Sequence, residues 1–224
     1  MTKIDSQATA RTRARYDRNA RFYDFMETLP EKRFVPWREK LWSRVRGPRV
    51  LEVGVGTGKN ISCYPKGAEV SAIDLSPRML ERARVRAERT GAAVELIEAD
   101  AQALPFPDAT FDAAVATFVF CSVPDPVLGL GELRRVLVPG GQLLLLEHVL
   151  SHKPVLRPVM RLLNPLMVRV SGANIDRETA ENVRRAGFVN LRVEDLWLDV
   201  VKLIEARVPV AKPDGGSSAN GSHP

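Results

Sequence analysis

Between residues 50 and 60 the chain reads Val-Leu-Glu-Val-Gly-Val-Gly-Thr-Gly-Lys-Asn, a short apolar run ending in three glycines at alternate positions, Gly54, Gly56 and Gly58. Glycines at a strand-to-helix turn let the backbone bend sharply and approach a ligand closely, and the turn that follows offers free N–H groups. One acid, Glu52, sits inside the run, and a second, Asp74, lies 16 residues beyond Gly58. A carboxylate at that second position can accept both hydroxyls of a ribose. A third acid, Asp100 in Glu98-Ala-Asp-Ala101, can accept from the exocyclic amine of adenine. The chemistry these types and spacings suit is the binding of a nucleoside. A phosphate-loop NTPase would need Gly at 53 and Ser or Thr at 60, where this chain has Val53 and Asn60. A nicotinamide dehydrogenase would use the same loop, but no hydride-transfer constellation is evident and the last two strands argue against it.

Such residues work together only if strands and helices bring them to one end of a sheet. The 224 residues are 45% hydrophobic and 27% charged, enough for one sizeable core. Residues 8–46 read as helix, broken in two by Pro30. Residues 50–53 and 68–73 read as strands, and Ser76-Pro77 caps a helix through Arg89 whose Met79, Leu80, Ala83 and Ala87 share a face. Strands follow at 94–98 and 111–117, then a helix from Asp125-Pro126 to about Val136. A Pro139-Gly-Gly turn leads into a fifth strand at 142–149. Residues 151–175 interrupt the rhythm. A helix over 176–186 ends at Gly187, and two strands, 189–197 and 200–208, are joined too closely for a crossover helix and so pair as an antiparallel hairpin. The alternation predicts an α/β fold, a mostly parallel sheet with helices on both faces.

Taken in order, Glu52-x-Gly-x-Gly-x-Gly58, Asp74 after the second strand, Asp100 ahead of Leu104-Pro-Phe-Pro-Asp108, Phe111-Asp112 opening the fourth strand and Leu137-Val-Pro-Gly-Gly141 before the fifth resemble the class I S-adenosylmethionine-dependent methyltransferases over about residues 49–150. The resemblance implies a Rossmann-like, seven-stranded sheet with a C-terminal antiparallel hairpin. It implies S-adenosyl-L-methionine as cofactor, S-adenosyl-L-homocysteine as product, and no metal. By the same resemblance the loop of Gly54, Gly56 and Gly58 cradles the methionine end, Asp74 holds the ribose, Asp100 with Ala101 reads the adenine, and Glu52, Leu75 and Thr117 belong to the cofactor set. Residues 16–24 resemble the lid of quinone and bacterial phospholipid methyltransferases, which implies that Tyr23 closes over the cofactor; the alternative is an ordinary packing aromatic on an amphipathic helix.

Methyl transfer from a sulfonium is an in-line displacement, so a protein mainly has to hold donor and acceptor about 3 to 3.5 Å apart and keep water out. Residues 148–175 carry His148, His152, Lys153, Arg157, Arg161 and Arg169 with no acid, interleaved with Val155, Leu156, Val159, Met160, Leu162 and Leu163. Such a segment suits a lipid interface. Together with the N-terminal pattern, Gly172-Ala-Asn-Ile-Asp-Arg177 and Asn182-Val-Arg-Arg-Ala-Gly-Phe188, it resembles bacterial phosphatidylethanolamine N-methyltransferases and the related membrane-associated thiol methyltransferases. The resemblance implies successive N-methylation of a phosphatidylethanolamine headgroup and its mono- and dimethyl forms; the alternative is a quinone or other lipophilic small molecule, including a thiol. The ammonium, with a pKa of roughly 10 by analogy with lysine, must lose a proton first. Tyr23, Glu147 or His148 could receive it, and Arg177 could take the phosphate.

Residues 1–49 hold 13 Lys/Arg against 6 Asp/Glu, while the remainder hold 20 against 21. The net charge of +6 therefore belongs to the N-terminal segment. Nucleic acid is not the expected partner, because the exocyclic-amine enzymes need an Asn/Asp-Pro-Pro-Tyr-like element where this chain has Thr117-Phe-Val-Phe-Cys-Ser122. An anionic membrane surface is. No run approaches the roughly 20 apolar residues of a spanning helix, the first residues lack the apolar core of a secretory leader, and Cys63 and Cys121 have no paired spacing. The expectation is a cytoplasmic protein, peripheral at the inner membrane surface. It would comprise an N-terminal helical lid (1–48), a methyltransferase domain (49–210) with a substrate- and membrane-facing insertion (148–175), and a disordered tail (211–224).

Overall fold

The computed structural model describes residues 4–26, 28–170 and 174–210, with side chains for all of these except 21–26, 28–32, 166 and 170. The predicted tail at 211–224 lies outside the described residues. Seven strands form one sheet: β1 (Arg49–Val53), β2 (Glu69–Asp74), β3 (Val94–Glu98), β4 (Phe111–Thr117), β5 (Leu137–His148), β6 (Val189–Trp197) and β7 (Val201–Arg207). Their order is β3-β2-β1-β4-β5-β7-β6. The first five run parallel, while β7 pairs antiparallel with both β5 and β6. This is the α/β sheet that the alternation predicts, with the closing hairpin in place.

The central strands are apolar on both faces because helices cover both. On one side α4 (Pro126–Val136) and α6 (Thr179–Arg185) bring Leu130, Leu133, Val136 and Val183 onto Leu51, Ala114, Leu143, Leu145 and Ile204. On the other, α2 (Thr28–Trp42) lays Leu41 and Trp42 on Val50, Val115, Leu144 and Leu203. Next to it α3 (Pro77–Thr90) buries Leu80, Ala83 and Ala87 over Val55 and Ala72. Caps fix where these helices begin. The Ser76 side chain accepts from Met79 N, and Asp125 from Val127 N and Leu128 N, so that Pro77 and Pro126 occupy first-turn positions that need no donor.

Several boundaries depart from the sequence reading: α2 ends at Trp42 instead of 46, α6 starts at Thr179 instead of 176, and three further differences have a local cause. α1 (Ser6–Met26) ends and α2 begins before Pro30, which sits in the first turn of α2, where a missing N–H costs nothing. β5 starts at Leu137 rather than 142: Pro139-Gly-Gly is absorbed into the strand, with a bulge in its pairing to β4 between Phe111 and Ala113. Residues 151–175 contain a real helix, α5 (Leu156–Val170), which carries Pro158 in its first turn and accommodates Pro165 inside.

Candidate active site

The strand order reverses between β1 and β4, and the carboxyl ends of β1, β2, β3 and β4 frame a cleft there, as expected of a doubly wound sheet. Its empty space, open mouth included, is about 700 Å³. Gly54, Gly56, Asp74, Leu75, Asp100, Ala101 and Thr117 all line it. Gly54 has φ +68°, and a Cβ there would lie 2.4 Å from Val119 Cγ2 on the β4 turn. Gly56 has φ +57° and nothing within 4 Å of where a Cβ would stand, so this part of the loop presents bare backbone to open space. Gly58 backs onto Ile61 and Ala83 instead of the cleft.

Asp74 ends β2 with both oxygens engaged: Oδ2 accepts from Gly56 N at 2.9 Å and Oδ1 from Ser76 N at 2.8 Å. These amides aim the carboxylate while leaving lone pairs for two more donors. Burial pushes its pKa up to about 6, against the amides of Ser76 and Gly56, and nearby Asp17 adds to the rise. Asp100 Oδ1 accepts from Gln102 N at 2.9 Å. The remaining wall is largely apolar, with Ile73, Leu75, Met79 and Val123. Bare loop backbone, a vicinal-diol acceptor, a second acid and a greasy slot between them fit a nucleoside bearing a charged amino-acid arm.

Glu52 stands elsewhere. It is fully buried on the α2 side of the sheet, where Asn60 Nδ2 donates to it at 2.6 Å and Tyr64 OH donates as well. Asn60 Nδ2 also reaches Thr117 Oγ1 at 3.1 Å, and Arg38 Nη1 donates to Asn60 Oδ1 at 2.9 Å. Glu52 thus touches the cleft only through Asn60, pinning the glycine loop to the end of β4. Burial lifts its pKa to about 7 despite those donors.

One wall of the cleft comes from far away in sequence. Thr12 and Tyr16 of α1 line it. Around them Thr9 Oγ1 donates to Asp100 Oδ2 (3.2 Å), Arg13 pairs with Glu98 (2.5 Å), Tyr16 OH meets Ser122 Oγ (2.6 Å) and Ser76 Oγ donates to Asp17 Oδ1 (2.5 Å). α1 is therefore fastened to the ends of β2, β3 and β4. Burial, with Cys121 nearby, holds the Tyr16 hydroxyl well above the usual tyrosine range, so it stays protonated. The Tyr23 side chain lies outside the described residues. Sequence reasoning points to Tyr23 and misses Tyr16, which stands seven residues earlier in the chain.

The remaining candidates lie behind the β4 turn. On β5, Glu147 and His148 point to opposite faces. Glu147 is fully buried, with Oε1 accepting from Val119 N (2.8 Å) and Phe120 N (2.9 Å); burial raises its pKa to about 7. His148 stacks on Phe118 at 4.4 Å and meets Phe34 edge-on, and burial lowers it to about 4, which keeps it neutral. Phe118 lines the cleft with φ +58°, so His148 approaches the cleft only behind that ring. Arg177 Nη2 donates to Val123 O at 3.1 Å and faces a neighbouring groove between α4 and α6. Among the described side chains the structure therefore brings together the cofactor-side candidates except Glu52 and Gly58, with Tyr23 outside that set, while Glu147, His148 and Arg177 surround the turn at residues 118–123 without sharing one wall.

Comparison with known proteins accords with this geometry. The methyltransferase domain family matches residues 51–145. The phosphatidylethanolamine N-methyltransferase of Cereibacter sphaeroides is 42% identical over 120 residues, 53% of this chain and 59% of the relative. A demethylmenaquinone methyltransferase of Thermus thermophilus is 47% identical over 102 residues, 44% and 46% of the two chains. This chain thus spans about half the length of these two relatives. The demethylmenaquinone methyltransferase of Clavibacter sepedonicus is 30% identical over 235 residues, covering 92% of this chain and 94% of that one. Among solved structures, an S-adenosylmethionine-dependent methyltransferase of Thermotoga maritima superposes with a TM-score of 0.70 at 21% identity, covering 88% of this chain and 99% of that one.

Proposed function

The chain belongs to the class I S-adenosylmethionine-dependent methyltransferases, and from that premise we propose that it methylates the amine of phosphatidylethanolamine, and then its mono- and dimethyl forms, at an anionic membrane surface. The observation that carries this reading is the acid-free, basic and apolar stretch at 148–175, joined to the cleft's own turn: Asn174 N and Nδ2 donate to Cys121 O at 2.9 and 3.0 Å, and Arg177 to Val123 O. Likeness to the Cereibacter phospholipid enzyme supports it. The near full-length likeness to the Clavibacter quinone enzyme supports a second reading, methylation of a quinone or another lipophilic acceptor, and likeness to a thiol S-methyltransferase of Rattus norvegicus extends that reading to a thiol.

When bound, S-adenosylmethionine supplies an electrophilic methyl on a sulfonium. The protein's part is to hold, to dry and to take a proton. Asp74 accepts the ribose hydroxyls, Gly54 and Gly56 admit the amino-acid arm, Asp100, Ala101 and Leu75 flank the base, and Thr117, fixed by Asn60, closes the methionine end. α1 acts as the lid, with Tyr16 and Thr12 excluding water. An amine acceptor arrives protonated, and Glu147, with a pKa near neutrality, receives that proton through a water. Neutral His148 and, on the lid, Tyr23 are the other candidates for that task. Arg177, with donors to spare, takes the headgroup phosphate from the rim.

The test is incubation of the purified protein and methyl-labelled cofactor with phosphatidylethanolamine dispersed in detergent, and separately with a demethylated quinone. Label in mono- and dimethylated lipid is expected. Label in the quinone alone would replace the phospholipid reading with the second one and leave the enzyme class standing.

A further inference from the structure

Among the described side chains of α1 and α2, the net-basic N-terminal helices, Val35 is the only large apolar one that is exposed. Among the described side chains, a larger exposed apolar surface lies on α5. Val155, Val159 and Leu162 repeat at helical spacing along one stripe of the segment leading into and forming α5, with Leu163 beside them, and their exposures are 78%, 45%, 80% and 46%. Met160, on another side of the same helix, is buried. Lys153, Arg161 and Arg169 are exposed along the segment, and none of residues 148–175 is acidic.

We propose that α5 is the element that docks the enzyme on the bilayer, lying in the plane of the interface with Val155, Val159, Leu162 and Leu163 among the acyl chains and its basic side chains among anionic headgroups. The proposal goes beyond membrane association as such, on which it rests, by assigning the contact to α5 rather than to the basic N-terminal helices. A helix of this pattern, with a polar face rich in arginine and a leucine-rich apolar face, is the form that partitions into a lipid interface. A second copy of the chain is a poor occupant, since pairing two such faces would bring arginine against arginine.

The position of α5 matches the chemistry. Asn164 Oδ1 accepts from Ile175 N at 2.8 Å, and the adjoining Asn174 is bonded to Cys121 O, so the helix is braced against the turn that lines the cleft. On its other side Asp199 Oδ2 accepts from Ser151 Oγ and His152 N at 3.0 and 2.7 Å. That ties the β6–β7 turn, with exposed Trp197 and Leu198, to the start of the same segment. An exposed indole is a usual occupant of a membrane–water boundary, and this one lies under the guanidinium of Arg33 of α2, 5.5 Å from the ring centroid. Docking by α5 would bring the cleft's rim to the headgroup layer.

The experiment is co-sedimentation of the full chain with vesicles of phosphatidylethanolamine and phosphatidylglycerol, comparing the natural protein with L162D/L163D and with an R11E/R15E/R18E variant of α1. Both leucines are exposed, so melting temperatures should agree. The leucine variant is expected to lose vesicle affinity by about tenfold or more per side chain. It should keep its rate on detergent-dispersed acceptor, while the α1 variant keeps most of its binding. Equal binding by the leucine variant, or loss confined to the α1 variant, would overturn the proposal. So would loss of self-association on sedimentation in place of vesicle binding. If the natural protein methylates dispersed phosphatidylethanolamine but binds no vesicle, docking falls and the acceptor reading stands. If it binds through α5 but labels no lipid, the acceptor reading falls alone.

Discussion

Glu147 offers a sharp thermodynamic test, because its carboxyl is fully buried and its donors are backbone amides that an amide side chain can keep. The perturbation is Glu147→Gln. Burial raises the folded-state pKa from 4.5 to about 7, a shift of about 2.5 units, or about 3 kcal/mol at 1.36 kcal/mol per unit. The raised value means that the fold favours the protonated form. Its contribution is present in full below the unfolded pKa of 4.5 and is lost as pH climbs through 7, since the unfolded chain releases the proton first. Between pH 4.5 and 8 the natural protein should therefore lose about 3 kcal/mol that E147Q does not lose. For a chain of this size that is roughly 6–12 °C in relative melting temperature. Calorimetric melts of both proteins at pH 5, 6, 7 and 8 measure it. E147Q should gain on the natural protein steadily with pH. A constant offset between them from pH 5 to 8 would refute the reasoning, since it would mean that the carboxyl ionises as it does in water.

Asp74→Ala removes a half-buried acceptor whose hydrogen bonds to a bound diol would be charge-assisted at about 1.5–3 kcal/mol each, so cofactor affinity by calorimetry should fall ~10- to 100-fold or more; unchanged affinity would remove Asp74 from the ribose site. Gly54→Ala places a Cβ 2.4 Å from Val119 Cγ2 at a φ of +68°, and should both lower the melting temperature and weaken cofactor binding. Tyr16→Phe deletes the contact to Ser122 and with it about 1 kcal/mol of the attachment of α1 to the cleft's rim. It should speed cofactor release severalfold in stopped-flow while leaving the fold intact.

Much of this protein can be read from residues close together in the chain. The glycine loop, Asp74 and Asp100 are legible because each sits at a strand end and the ends of neighbouring parallel strands meet by necessity. The caps at Ser76 and Asp125 are legible because capping is local. The helix α5 was hidden by its two prolines, one of them harmless in the first turn. The roles of Glu52 and Tyr16 were hidden for another reason. Glu52 looks like a ligand-facing acid until Arg38, Asn60 and Tyr64 are seen to enclose it, and Tyr16 reaches Ser122 across more than a hundred residues.

The sequence alone determined the α/β sheet, its closing hairpin and the glycine loop, because strand period, helix period and turn chemistry act over a few residues. Only the tertiary structure decided that Tyr16 of α1 walls the cleft and which carboxylates are buried. It also decided that the solvent-facing apolar stripe of α5 is braced to the cleft's rim. Burial, pKa and exposure are properties of what surrounds a side chain, and those surroundings are assembled by segments that the chain order keeps far apart.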